Sequence, residues 1–281
     1  MIETGETPID FETVVCGVDG SPQSADAVAQ GAQLAAQGAR LFALSAWDPG
    51  LAIHAGIHAQ EVAVDLREES LTALERVKEI APRIEGLHFK GAPVACLLSA
   101  ASNLSADLIS VGAHGTSRTA GIVFGSVASA MAHHASCSVL IARKAEGEFP
   151  GRILHAGDGS PESQEAARTA GVIARRCGGS ATTLHVSHGG TSPSALAEES
   201  LSLIQATGVE PVGLFKEGSP HRTIVETAHS MGAALIVLGS RGLTGLKALG
   251  SVSEHVAHHA PCSVLIVRHP GHPHLDAPRA G

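Results

Sequence analysis

The sequence predicts an α/β fold in two copies, each an open, doubly wound parallel sheet, and three observations carry that expectation. The chain repeats itself: "VVCGVDGSPQSADAV" (Val14–Val28) returns 139 residues later as "ILHAGDGSPESQEAA" (Ile153–Ala167), with Asp-Gly-Ser-Pro kept. "HHASCSVLIAR" likewise returns as "HHAPCSVLIVR". Within a copy, short and continuously apolar runs alternate with helical stretches, the pattern of parallel strands covered on both faces. Between the copies lies "KAEGEFPG" (Lys144–Gly151), a charged Gly/Pro linker, so the expected domains are residues 1–146 and 147–281.

In the first copy, strands are expected at Thr13–Val18, Arg40–Trp47, Leu87–Gly91, Asp107–Gly112 and Ser138–Arg143. The first helix, Pro22–Gly38, opens with Ser21 as its N-cap and Pro22 at the first helical position, where no N–H is needed. Helices over Glu61–Ile84 and Val94–Leu104 follow, then a short one opening at Ser126. "GAPVACLLSAASNLSADLISVGAHG" (Gly91–Gly115) and "GSPHRTIVETAHSMGAALIVLGSRG" (Gly218–Gly242) stand 127 apart, so the second copy is twelve residues shorter in its middle. The alternation implies right-handed crossovers. Periodicity does not give the strand order.

Composition excludes several function classes. A net charge of −8 without any Lys/Arg block argues against nucleic acid as a partner. No apolar run approaches the ~20 residues that span a bilayer. The acidic, polar start "MIETGETPIDFETVV" does not read as a secretory signal. Five cysteines without a CxxC pair suit a reducing compartment. The expectation is a soluble cytoplasmic protein. Aromatic residues make up only 2% of the chain, so the cores are built from Ala, Val, Leu and Ile.

Ligands of doubly wound sheets bind outside the carboxyl ends of the strands. In the first copy those ends read "VDGS", "AWDPG" and "GAHGTSRTAGIVFGS". In the third, Gly112 and Gly115 let the backbone approach a ligand closely. Gly125 and Ser126 open a helix whose first amides have no intrahelical partner and carry partial positive charge, a site suited to phosphate. The Ser126 hydroxyl adds a donor and Arg118 a counter-charge. Neither GxxxxGK[ST] nor GxGxxG occurs, so the lysine of a P-loop and the dinucleotide fingerprint are both missing.

These marks together resemble the universal stress protein family in its tandem form: Gly17-Val18-Asp19-Gly20-Ser21, Ala156-Gly157-Asp158-Gly159-Ser160, the G-x2-G-x9-G-S loop and the closing "CSVLI" strand. The resemblance covers nearly the whole chain. It implies two Rossmann-like domains of the adenine-nucleotide alpha-hydrolase type, each a five-stranded parallel sheet of order 3-2-1-4-5, paired through their last strands. In ATP-binding members the loop is the nucleotide signature. Carried over, Gly17, Val18 and Asp19 would meet the adenosine and the backbone of Ala46 the adenine edge. Gly112, His114, Gly115, Arg118, Gly125, Ser126 and the Val127 amide would take the phosphates, with Mg²⁺ accompanying ATP rather than sitting in a protein cage. The resemblance thus implies an ATP-binding, stress-responsive regulator whose conformation or partners follow nucleotide state.

The second copy departs from this pattern. Gly157, Asp158, Val186, Gly239, Arg241, Gly242, Gly250, Ser251 and Val252 are its counterparts, but only seven residues, "LTGLKAL", separate Gly242 from Gly250 where the first copy has nine. Arg241 and Lys247 could hold an anion there, or the loop could collapse onto its own site. Binding is expected in the first copy and is left open in the second.

Other residues take structural readings. Adjacent pairs His133-His134 and His258-His259 point about 100° apart on a helix and read as helix-end residues, not metal ligands. Cys16, Cys137 and Cys262 read as small buried residues. Gly50–Gln60 reads as an apolar connecting loop, and "HPGHPHLDAPRAG" as a Pro-broken tail. No nucleophile stands with a general base, so slow ATP hydrolysis is the most that is expected. Two rivals remain: a nucleotide-free structural or interaction module with vestigial loops, and a nucleotide-dependent transferase for which no catalytic group is legible. The oligomeric state, homodimer included, is not legible either.

Overall fold

In a computed structural model the described residues are 10–50, 58–115, 124–144, 147–187, 194–241 and 249–268. The expectations placed on Arg118, Gly242, Lys247, the middle of the Gly50–Gln60 loop and the tail lie outside them. The chain forms two compact units, one built chiefly from residues 11–145 and the other chiefly from 146–256.

The first unit runs β1 (Phe11–Gly17), α1 (Pro22–Leu34), β2 (Ala35–Trp47), α2 (Ala59–Ile80), β3 (Glu85–Lys90), α3 (Pro93–Leu104), β4 (Leu108–Gly112), α4 (Ser126–His134) and β5 (Ser138–Ala142). Its strands lie in the order β3-β2-β1-β4-β5, and the pairs are parallel. The second runs β6 (Arg152–Gly157), α5 (Pro161–Cys177), β7 (Ser180–Ser187), α6 (Ser194–Gln205), β8 (Val212–Glu217), α7 (Pro220–Met231), β9 (Leu235–Gly239), α8 (Ser251–His259) and β10 (Ser263–Val267). Its order, β8-β7-β6-β9-β10, is the same topology, again parallel. The order implied for each copy is therefore found in both.

Burial explains which strands the sequence announced clearly. Val14, Val15, Leu108, Ile109, Val139, Leu140 and Ile141 are fully buried, as strands covered on both faces require. Burying a Leu or Ile side chain of this kind stabilises by about 1.5–3 kcal/mol. The outer strand β3 is half exposed, and it spans Glu85–Lys90 rather than Leu87–Gly91. Trp47 closes β2, with the Lys90 ammonium 5.8 Å from its ring centre.

Two helix ends differ from expectation. The first helix stops at Leu34 rather than Gly38, because Ala35 turns extended (φ −67°, ψ 145°) and pairs with Phe11 of β1. The second stops at Ile80, and Ala81 leaves helical geometry. The N-terminus of α1 is as expected: the Ser21 hydroxyl accepts the Ser24 amide at 3.1 Å, with Pro22 opening the helix. Ser160 and Pro161 repeat the device on α5, where Ser160 accepts the Ser163 amide at 3.2 Å.

Candidate functional site

The turn after β1 fixes its carboxylate. Gly20 takes a left-handed φ of 80°, and Asp19 Oδ1 accepts the Ser21 amide at 3.0 Å and the Ser21 hydroxyl at 2.6 Å. Asp19 therefore serves the turn.

The segment after β4 meets that turn. A Cβ built on Gly115 would stand 2.6 Å from Asp19 Oδ2, so a side chain there must push the carboxylate aside. At Gly112 the expected reason for glycine changes. A Cβ there would meet the backbone carbonyl of Gln23 at 2.9 Å, so this glycine lets α1 pack onto the strand end. Gly239 does the same against Glu162 in the second domain, at 2.8–3.0 Å.

The Gly125 amide is already used, donating to the Ala113 carbonyl at 2.8 Å. That bond brings the N-terminus of α4 back beside Ala113 and His114. Gly125 caps α4 with extended geometry and no side-chain bond. Among the described residues, the amides of Ser126 and Val127 make no hydrogen bond, and Ser126 is exposed. Unspent amides at a helix start, with partial positive charge, are an anion-binding arrangement. His114 adds a second polar group: its Nδ1 is buried without a partner among the described residues. Burial first, and then the Arg143 charge, lower its pKa, which keeps the imidazole neutral. Gly17, Val18 and Ala46 complete the rim. The Val18 amide bonds the Leu44 carbonyl at 2.8 Å, and Ala46 lies on β2 opposite Phe89 of β3.

The second domain builds the same frame with different contents. Asp158 Oδ1 accepts the Ser160 amide at 3.0 Å and its hydroxyl at 2.6 Å, and the Gly250 amide donates to the Ser240 carbonyl at 2.7 Å. Ser251 and Val252 begin α8 behind a Gly250 cap. Arg241, however, is engaged: its Nε lies 3.4 Å from Glu162 Oε1. Val186 lies on β7 opposite Lys216 of β8.

Beneath Gly157 lies a feature the sequence reading missed, a pair of buried histidines. His155 Nε2 faces the Ser163 carbonyl at 3.0 Å and must donate to it. Its Nδ1 then accepts from the Thr183 hydroxyl at 2.8 Å. His185 Nε2 meets the Ser200 hydroxyl at 3.1 Å. Burial pushes the His155 pKa down to about 3 and lowers that of His185, which the Asp158 charge partly offsets. Gly157 makes room for the pair, since a Cβ there would stand 2.8 Å from the His185 ring. The first domain has Val18 and Ser45 in these two places, a larger residue on one strand matched by a smaller one on the next. That reciprocal exchange was the signal available in the alignment of the two copies.

Structural readings of other residues agree with the geometry. Burial raises the Cys16 pKa to about 12, leaving an inert thiol. His133 Nδ1 bonds the Ser129 carbonyl at 2.8 Å, in the last turn of α4.

Residues 10–143 and 150–268 match the Universal stress protein family, and the chain belongs to it. A universal stress protein of Synechocystis is 50% identical over 68 residues, 24% of this chain and 44% of that relative's own length. A crystal structure of a universal stress protein from Archaeoglobus fulgidus superposes with a TM-score of 0.71 at 22% identity, over 91% of this chain and 96% of that one. That likeness concerns the fold. Another solved universal stress protein, in complex with cAMP, is 29% identical over 42% of this chain and 96% of its own, with a TM-score of 0.38.

Proposed function

We propose that the first domain binds an adenine nucleotide, ATP with Mg²⁺, and that the chain is a cytoplasmic, stress-responsive regulator whose conformation or partners follow nucleotide occupancy. One observation carries the reading: the unspent Ser126 and Val127 amides open beside His114, on the same rim as Asp19 and Gly115. The residues present fit such a ligand. Ser126 and Val127 would bind phosphate oxygens through their amides, Asp19 would accept from ribose hydroxyls, and the Ala46 backbone would orient the base. His114, neutral, has an unfilled Nδ1 to offer a polar group. Among the described residues no cluster of three or more His, Cys, Asp or Glu is placed to hold a metal. Mg²⁺ would therefore be held through phosphate oxygens and water. When bound, it neutralises phosphate charge.

The test is calorimetric titration of the full chain with ATP–Mg²⁺. Saturable binding is expected, together with its loss in Gly115→Val, whose side chain would displace Asp19. Absence of binding, or unchanged affinity in the variant, overturns the reading. Among the described residues no helix is long and apolar enough to cross a membrane.

A further inference from the structure

Resting on that reading of the first domain, we infer that the second domain holds its own site closed, so that the chain binds one nucleotide and not two. Two side chains close it, and both occupy positions that differ between the copies. Glu162 stands in the first turn of α5 where the first domain has Gln23. Its backbone packs against Gly239 at the end of β9, so the carboxylate is anchored at the rim where a phosphate would arrive. There it takes the guanidinium of Arg241, at 3.4 Å. An incoming phosphate must displace a carboxylate that is part of the chain and already in place.

The ribose side is covered by a different residue. Leu196 of α6 lies on the turn of Asp158, so close that a Cβ on Gly159 would stand 2.6 Å from Leu196 Cδ2. In the first domain, among the described residues, Gly20 has only the Ala73 methyl nearby, at 3.6 Å from such a Cβ. Leu196 is 42% exposed, an apolar side chain kept at the surface over a polar turn. In the sequence, the Gly242–Gly250 connection is two residues shorter than Gly115–Gly125. Together, carboxylate and leucine replace ligand contacts with contacts of the chain itself.

Native mass spectrometry of the full chain, titrated with ATP–Mg²⁺, counts bound nucleotides directly. The wild type is expected to saturate at one, and Gly115→Val at none. Glu162→Gln restores the neutral residue of the first domain, and Leu196→Ala takes the leucine off the Asp158 turn. Together they are expected to strengthen second-site binding about tenfold or more, so that a second nucleotide appears. Two nucleotides on the wild type, or one retained by Gly115→Val, overturns the inference while leaving nucleotide binding intact. A double variant that stays at one overturns the assignment to Glu162 and Leu196. No nucleotide on the wild type overturns the first-domain reading and this inference with it.

Discussion

Acid is expected to loosen the second domain selectively, through His155. Its imidazole is fully buried, donating to the Ser163 carbonyl and accepting from Thr183, and burial holds its pKa at about 3 against an ordinary value of 6.5. A base whose folded pKa is depressed binds protons more readily when unfolded. The stability it contributes is therefore complete above pH 6.5 and is lost as pH falls through that value toward 3. Each pH unit inside the window costs about 1.4 kcal/mol, so a drop from pH 7.5 to pH 5 removes about 2 kcal/mol and the whole window about 5. Hydrogen exchange followed by mass spectrometry reads this locally: opening free energies of peptides from β6 and β7 are compared at the two pH values. The reference is His155→Cys with Thr183→Ala, the residues the first domain carries as Cys16 and Ala43. The wild type is expected to lose about 2 kcal/mol of protection in β6 and β7, and the variant markedly less. Equal losses in both, or a wild type indifferent to pH over this range, would refute the reasoning.

Further outcomes follow from the packing. Gly157→Val drives a branched side chain into the His185 ring and is expected to lower the melting temperature by an amount equivalent to about 1–3 kcal/mol. Adding His185→Ser, which recreates the Val18–Ser45 pair, is expected to recover much of that loss in the same thermal scan. Gly112→Ala is expected to destabilise the first domain by a comparable amount, because its methyl would meet the Gln23 backbone; urea denaturation measures it. Ser21→Ala removes the cap of α1 and is expected to cost about 1 kcal/mol in the same assay. Cys16 is expected to resist alkylation at pH 8 in the folded chain and to react once urea unfolds it, because burial holds its thiol protonated.

Most of the fold was legible because the central strands are covered on both faces and carry short buried runs of Val, Leu and Ile. The outer strand β3 was misplaced by two residues because half of it faces solvent and its polar residues blur the run. The end of α1 was misread for another reason. "AAQG" has the composition of a helix tail, and only pairing of Ala35 with Phe11, a contact distant in sequence, draws it out of the helix. At the rim, the spacing of the glycines did not separate their roles. Gly112 serves helix packing, Gly115 the approach to Asp19, and Gly125 the bond that folds α4 back. Glu162 and Leu196 escaped notice because each is an ordinary residue where it stands, and only their neighbours in space give them a role.

The lone tryptophan makes the two halves unequal to light. Trp47 ends β2 immediately after Ala46, and the chain contains no tyrosine. Emission excited at 295 nm therefore originates from the first domain alone, beside the strand end assigned to the base, while the second half stays dark. Quenching on adding ligand would report that one pocket without labelling, and an indole introduced at Phe215 would give its silent twin a beacon of its own.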